Sequence, residues 1–164
     1  MKKLLLYRHA KSSWDDLFIL DRDRPLSERG LRDAPQMAQR LKRRNIYPDG
    51  MLSSSAKRAE TTALITAENL HFPKNKIELS PKLYHVSAAA LLDEIRKTPD
   101  EYITLFVFGH NPGLNEAIAL LGGEIDNLPT CGQFGFIFEV EEWQKIGPDN
   151  ARVWFFDYPK KKPT

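Results

Sequence analysis

The sequence predicts an α/β domain built on a mainly parallel sheet. Apolar runs of strand length alternate with helical patterns almost from end to end, the signature of strands joined by crossover helices. One run, Tyr102 to Phe108, is continuously apolar, as a strand covered on both faces must be. The last part of the chain changes style. Phe134 to Val140 and Arg152 to Phe156 form two strand-like runs around Trp143 and Ile146, which predicts an antiparallel pair at one sheet edge.

Leu4 to Tyr7 opens the sheet. Leu31, Ala34, Met37, Ala38 and Leu41 recur at three- and four-residue spacing and predict an amphipathic helix, with Ser27 as its N-cap and Pro35 either near the first turn or kinking it. A short strand around Gly50 to Ser53 leads to a helix that turns Ala59, Thr62, Ala63, Ile65, Thr66 and Leu70 toward one side. Ile77 to Leu79 reads as a short strand, and Ser87 caps a helix carrying Leu91, Leu92 and Ile95. The strand ending at Phe108 is closed by Gly109-His110-Asn111-Pro112-Gly113, and a helix from Leu114 to Leu121 follows. The aromatics of the last part are core candidates.

At 164 residues the chain fits one domain, residues 1–164, large enough to bury a core without disulfides or a structural metal. Hydrophobic content of 41% with 28% charged residues is that of a soluble globular protein, and a formal net charge of +2 is too small to argue for nucleic acid as a partner. Cys131 is the single cysteine and reads as filler ahead of the strand from Gly132 to Ile137; it lacks the Arg-closed loop that a cysteine phosphatase needs. Met1-Lys2-Lys3 and three leucines open like a secretory signal, but Arg8, His9 and Lys11 cut the apolar run short, and no transmembrane stretch follows, so the expectation is a cytoplasmic protein with no membrane partner. Lys160 to Thr164 reads as a solvated tail.

In a doubly wound sheet the loops at the carboxyl ends of parallel strands share one edge, and ligands bind there. Three of these loops are polar in a matching way. The first strand delivers Arg8, His9, Lys11 and Ser12, the second delivers Ser53-Ser54-Ser55 and then Lys57-Arg58, and the long apolar strand delivers Gly109-His110-Asn111. Taken alone, Ser53 to Ser55 reads as a turn and helix cap, and His110 as a loop histidine. Arg58 stands in a first helical turn, where the helix dipole favours anions, so it needs another reason to be there, and a bound phosphate supplies one. Together the loops hold two histidines, two arginines, hydroxyls and backbone amides at a helix start, the equipment of an anion site. A neutral imidazole attacks phosphorus only while cationic donors hold the equatorial oxygens, and the planar fork of Arg suits that role.

Tyr7-Arg8-His9-Ala10-Lys11-Ser12, Asp21 to Gly30 (DRDRPLSERG), Ser53 to Thr62 (SSSAKRAETT) and Gly109-His110-Asn111-Pro112-Gly113 resemble the histidine phosphatase superfamily, and more narrowly its small SixA-type branch of phosphohistidine phosphatases. The resemblance covers most of the chain and implies a phosphoglycerate-mutase-like fold, a three-layer α/β/α sandwich. It implies His9 as the nucleophile that becomes phosphohistidine, with Arg8, Arg58 and His110 around the phosphoryl oxygens and Lys11, Ser12 and Asn111 as further substrate contacts. No metal or other cofactor is implied. The two imidazoles are expected to have pKa values pushed apart, His9 neutral and His110 cationic.

Two departures from the family pattern stand out. Ala10 replaces the usual Gly after the first His, a substitution typical of the SixA-like branch. Larger members place a carboxylate after the third strand to protonate an alcohol leaving group, whereas Leu79 to Val86 contains no acid. Asp21, if its loop folds over the site, and His85 are the candidate substitutes. A phosphoramidate needs an enzymic acid less than an ester does, because the leaving imidazole can be protonated beforehand. The chain is also too short for a deep cap over a sugar phosphate. The expected substrate is therefore phosphohistidine in a protein. The alternatives are a small phosphate ester, such as a sugar phosphate or nucleotide, and a non-catalytic phosphate-binding module. No Gly-rich loop ends in Gly-Lys-Ser or Gly-Lys-Thr, and His9, His71, His85 and His110 show no paired metal-ligand spacing.

Overall fold

Leu4 and Leu6 point to one side of the first strand and Leu5 and Tyr7 to the other, and all four are fully buried, so this strand is covered on both faces. In the computed structural model, which describes residues 1–162, that strand, β1 (Lys2–Arg8), lies within a six-stranded sheet. The remaining strands are β2 (Gly50–Ser54), β3 (Glu78–Ser80), β4 (Thr104–Gly109), β5 (Gln133–Phe138) and β6 (Ala151–Asp157), in the order β3-β2-β4-β1-β5-β6. The first four run parallel, and β5 and β6 join antiparallel on one side.

Helices α1 (Glu28–Arg43) and α2 (Lys57–Leu70) cover one face. Ala34, Met37 and Leu41 from α1 and Ala63, Ala67 and Leu70 from α2 pack there with Leu5, Tyr7, Phe106 and Phe108. Helices α3 (Ala88–Ile95) and α4 (Gly113–Leu120) cover the other, where Leu91, Leu92, Ile95, Leu114 and Ile118 meet Leu4, Leu6 and Val107. The result is the three-layer α/β/α sandwich with an antiparallel edge. Ser27 and Ser87 cap their helices by accepting from the amides of Gly30 and Ala90, contacts worth about 1 kcal/mol each. Trp143 is fully buried and donates its indole N–H to the Tyr102 carbonyl at 2.8 Å, which Lys2 Nζ also reaches at 3.0 Å.

The elements differ from the sequence reading in a few places. Leu31 stays half exposed while Gly30 faces inward, because α1 starts against the backbone of Lys11 and a Cβ at residue 30 would collide with the Lys11 carbonyl oxygen. Pro35 lies in the second turn and the helix runs through it; the carbonyl that loses its partner belongs to Leu31, on the solvent side. Ile77, Tyr102 and Val140 fall just outside β3, β4 and β5, while α4 begins one residue early, at Gly113. The lysine tail is only partly free: Lys161 Nζ donates to the Phe156 carbonyl at 2.6 Å and sits 5.8 Å above that ring, while Pro163 and Thr164 lie outside the described residues. Among the described residues no helix is long and apolar enough to cross a membrane.

Candidate active site

Parallel pairing of β1 with β4 and of β2 with β4 sets Arg8 opposite Gly109 and Ser53 opposite Phe108, so the three polar loops leave the sheet side by side at its carboxyl edge. The backbone of His9 is held from both sides. Its N–H donates to Gly109 O at 3.2 Å, and its carbonyl accepts from Cys131 N at 2.9 Å. The next amide, of Ala10, donates to Thr62 Oγ1 at 2.9 Å, which ties the turn to α2. Ala10 is fully buried and its φ is not positive, so the position needs a small residue but not glycine.

His9 Nδ1 lies 2.7 Å from the Ala10 carbonyl oxygen, which can only accept. Nδ1 therefore carries the proton, and Nε2 keeps the lone pair a nucleophile needs. The His110 ring stands 5.1 Å away, centroid to centroid. Ser54 Oγ, which accepts from Ala56 N, is 2.8 Å from His110 Nε2 and can give it a proton, so that Nδ1–H of His110 becomes a donor. Arg8 donates Nη1 to Leu128 O at 2.9 Å, and Arg58 donates Nη1 to the Asp21 carbonyl at 2.8 Å and Nη2 to Asp21 Oδ2 at 3.1 Å. After these bonds three buried nitrogens have no partner among the described residues: Arg8 Nε, Arg58 Nε and His110 Nδ1. Leaving a buried donor unpaired costs about 1–3 kcal/mol, so three of them on side chains neighbouring His9 suit an acceptor-rich ligand.

The electrostatics depart from the expected split between the imidazoles. Burial, with Arg58, Arg8 and Arg24 nearby, pushes His9 down to about 4. Burial, with His9 and Arg58 as neighbours, pushes His110 down to about 3. Both rings are thus neutral in the free protein: for His110, burial and the neighbouring His9, Arg58 and His85 outweigh the support that Asp21 gives a charged ring. Burial and Arg58 also lower Arg8.

Asp21 does fold over the site. Its carboxylate accepts from Arg24 Nε at 3.0 Å, from Arg58 Nη2 and from the Tyr84 hydroxyl, and lies 3.8 Å from His85 Nε2. The Tyr84 hydrogen bond, then Arg58 and Arg24, hold it well below the usual carboxylate range. The exposed His85 ring is 6.2 Å from that of His110. Among the other expected contacts, Ser12 Oγ accepts from Arg24 Nη1 at 2.8 Å. Asn111 is committed to structure, its Oδ1 accepting from Asn115 N at 3.0 Å and its Nδ2 donating to Leu128 O at 3.0 Å. Lys11 contributes its carbonyl, which accepts from Ser27 N at 2.8 Å.

Sequence reasoning passed over Arg24 and Tyr84. Arg24 is buried, braces Ser12, Ser13 and Asp21, and stacks 3.5 Å above the Trp14 ring. Its local signal was only an Arg between Asp23 and Pro25, with nothing in the spacing to show that Ser12 and Asp21 would enclose it. Tyr84 gave none, because its partner lies 63 residues away. Cys131 is buried in a left-handed conformation, and burial raises its thiol well above the ordinary range, so it supports His9 through its amide alone. Among the described residues no group of three or more His, Cys, Asp or Glu side chains could hold a metal ion.

At the carboxyl edge of the sheet this α/β protein gathers two arginines and two neutral imidazoles, with three buried donors unpartnered among the described residues. The chain belongs to the histidine phosphatase superfamily, whose branch 1 profile matches residues 4–107. It is 39% identical over 139 residues to an uncharacterized chloroplastic protein of Arabidopsis thaliana, covering 79% of this chain and 63% of that protein, so it spans less than two thirds of that relative's length. Among solved structures, a SixA protein from Agrobacterium tumefaciens superposes with a TM-score of 0.80 at 25% identity, covering 96% of this chain and 98% of the other. The protein histidine phosphatase SixA complexed with tungstate has the same TM-score at 21% identity, covering 96% of this chain and 97% of the other.

Proposed function

We propose that the chain is a metal-independent phosphatase that forms a phosphohistidine intermediate on His9 and acts on phosphohistidine in a protein. The observation that carries this reading is that Arg8, Arg58 and His110, the neighbours of His9, each keep a buried donor unpartnered among the described residues while His9 Nε2 holds a lone pair. Two fixed guanidinium groups meet the charge on the phosphoryl oxygens in a buried setting, where such contacts are strongest.

In the first step His9 Nε2 attacks phosphorus while the P–N bond to the substrate imidazole breaks. The bonding pair returns to that nitrogen, and the imidazole, already protonated at its other nitrogen, departs neutral. In the second step a water oxygen bonds to phosphorus, the P–N pair returns to His9 Nε2 while Nδ1 keeps its proton, and the phosphoryl group leaves with both water protons as dihydrogen phosphate. As the phosphoryl group enters, its negative charge raises the His110 pKa and turns a neutral donor into a charged one.

The leaving group points to phosphohistidine. The carboxylate at the mouth, Asp21, is held ionised by Tyr84 and Arg58 and has no proton to give an alkoxide. An ester would lose the hundredfold or more that general acid catalysis supplies, whereas a phosphoramidate would not. The likeness to SixA adds support.

The test compares a protein phosphorylated on histidine, free phosphohistidine, sugar phosphates and nucleotides, with His9→Ala as control and chelator present throughout. Phosphoramidates should be favoured by about 100-fold or more in kcat/KM, and acid-labile phosphate should be trapped on the wild-type chain alone. Equal turnover of an ester, or retained activity in His9→Ala, would overturn the reading.

A further inference from the structure

Residues 14–20 project beside the candidate active site and leave their largest apolar side chains in water: Trp14 is 63%, Leu17 81%, Phe18 99% and Leu20 61% exposed. Single exposed apolar residues are ordinary, but four in seven positions on one loop form a patch that a chain with a fully formed core has no internal reason to present. The loop is well tethered. Phe18 N donates to Asp16 Oδ1 at 3.0 Å, Asp15 N donates to Ser13 Oγ at 3.1 Å, and Arg24 ties the two ends together through Ser12, Ser13 and Asp21. Its base is part of the site, because Asp21 follows Leu20 directly and accepts from Arg58. On its other side a hollow of about 360 Å³ is floored by Ile19, Pro25, Leu26 and Leu31, so protruding side chains stand next to a recess that can take one.

The geometry points to this loop as the docking surface for the protein that carries the phosphohistidine, an inference that rests on the phosphoprotein reading of the site. The loop's charge describes the partner. Asp15, Asp16 and Asp23 are exposed beside the apolar side chains, and Arg22 is the single exposed cation among them, so the loop is acidic on a chain whose formal net charge is +2. An apolar patch with an acidic rim fits a protein face that is apolar around the modified histidine and basic at its border. The same aspartates oppose an anionic lipid surface, which otherwise attracts exposed Trp and Phe.

The test uses the full chain with the paired substitution Leu17→Ser, Phe18→Ser and, separately, Asp15→Lys, changes confined to side chains outside the pocket. The probes are free phosphohistidine and folded basic proteins phosphorylated on surface histidines with phosphoramidate. On the phosphoproteins the paired variant should raise KM about 10-fold or more with kcat little changed, as loss of central apolar anchors does, and Asp15→Lys should raise it less and mainly at low salt. On free phosphohistidine both variants should match wild type. Equal loss on both probes, or no loss on either, would overturn the docking role. A dimer that the paired variant dissolves, or binding of wild type to anionic vesicles, would also overturn it, by assigning the patch to a second copy or to lipid. Wild type that cleaves free phosphohistidine but no phosphoprotein would instead remove the phosphoprotein reading itself.

Discussion

Arg40 and Arg58 are both largely buried arginines on the helices of one face, and both pair with an aspartate, yet the pairs are built differently. Arg40 Nη1 reaches Asp157 Oδ1 at 3.0 Å and the Tyr158 carbonyl at 2.8 Å, and Nη2 reaches the Pro159 carbonyl at 2.9 Å. Its partner Asp157 is 4% exposed at the end of β6. Arg58 pairs with Asp21, a loop residue 43% exposed, and keeps Nε without a partner. The first pair is closed, with every bond directed at fixed backbone or a buried carboxylate. The second is exchangeable, because an incoming oxyanion can take over Arg58 at the cost of two hydrogen bonds to a single loop residue. A buried arginine with a replaceable partner is what distinguishes a candidate ligand clamp from a structural staple.

The largest effect should come from exchanging the fates of these two residues. Arg58→Ala is expected to lower kcat/KM about 1000-fold, as loss of a preorganised charged donor does, while thermal unfolding moves little. Arg40→Ala should do the reverse. Breaking a buried pair leaves Asp157 with the Tyr158 amide at 2.9 Å and, as its remaining cation, the more distant Arg44 Nη2 at 3.5 Å, and should cost about 3 kcal/mol of stability, with kcat/KM of the folded protein near wild type. Unfolding curves and steady-state kinetics on both variants decide the matter. Matching profiles would erase the distinction between the pairs.

A smaller effect, on stability alone, follows from the neutral imidazoles. In the folded protein His9 and His110 stay uncharged down to about 4 and about 3, against an ordinary value of 6.5. The unfolded chain binds more protons in that interval, so stability that is complete above about pH 6.5 is lost as the pH falls toward 4. Phosphate should flatten the slope, because a bound anion raises both folded-state pKa values, and NMR titration of the ring protons should show the two histidines shifting upward. A stability profile indifferent to phosphate would mean that the open donors do not hold an anion.

The parts of this arrangement that could be read from the sequence are those set by local pattern. Strand ends announce themselves where apolar runs stop, so Arg8, His9, Arg58 and His110 could be grouped before any coordinates. The alternation of Leu4, Leu5, Leu6 and Tyr7 between two cores needed only the period of a strand. What stayed hidden depends on loop closure and on shared partners. Asn111 looked like a ligand contact because nothing local shows that Asn115 and Leu128 consume its amide. The pKa of His110 could not be set without knowing how deeply the ring is buried and that His9, Arg58 and His85 oppose its charge more than Asp21 supports it. The ionisation of Asp21 depends on Tyr84, which no spacing rule connects to it.

The smallest expected effect is also the one that separates two roles for Asp21. As an exchangeable partner, Asp21 competes with the ligand for Arg58, so Asp21→Asn, which keeps the side-chain size but removes the charge, should tighten inorganic phosphate about 2- to 5-fold by relieving that competition, in keeping with the modest worth of a half-exposed ion pair. The same variant should leave kcat on free phosphohistidine close to wild type, because an imidazole that is protonated before departure takes nothing from the carboxylate. As a general acid, Asp21 would behave differently: Asn cannot donate its proton, and turnover of any residual ester substrate would fall about 100-fold or more while phosphate binding stayed constant. The direction of the Asp21 pKa favours the first outcome, since a carboxyl held ionised by Tyr84 and Arg58 remains charged throughout the range in which His9 is neutral and able to attack.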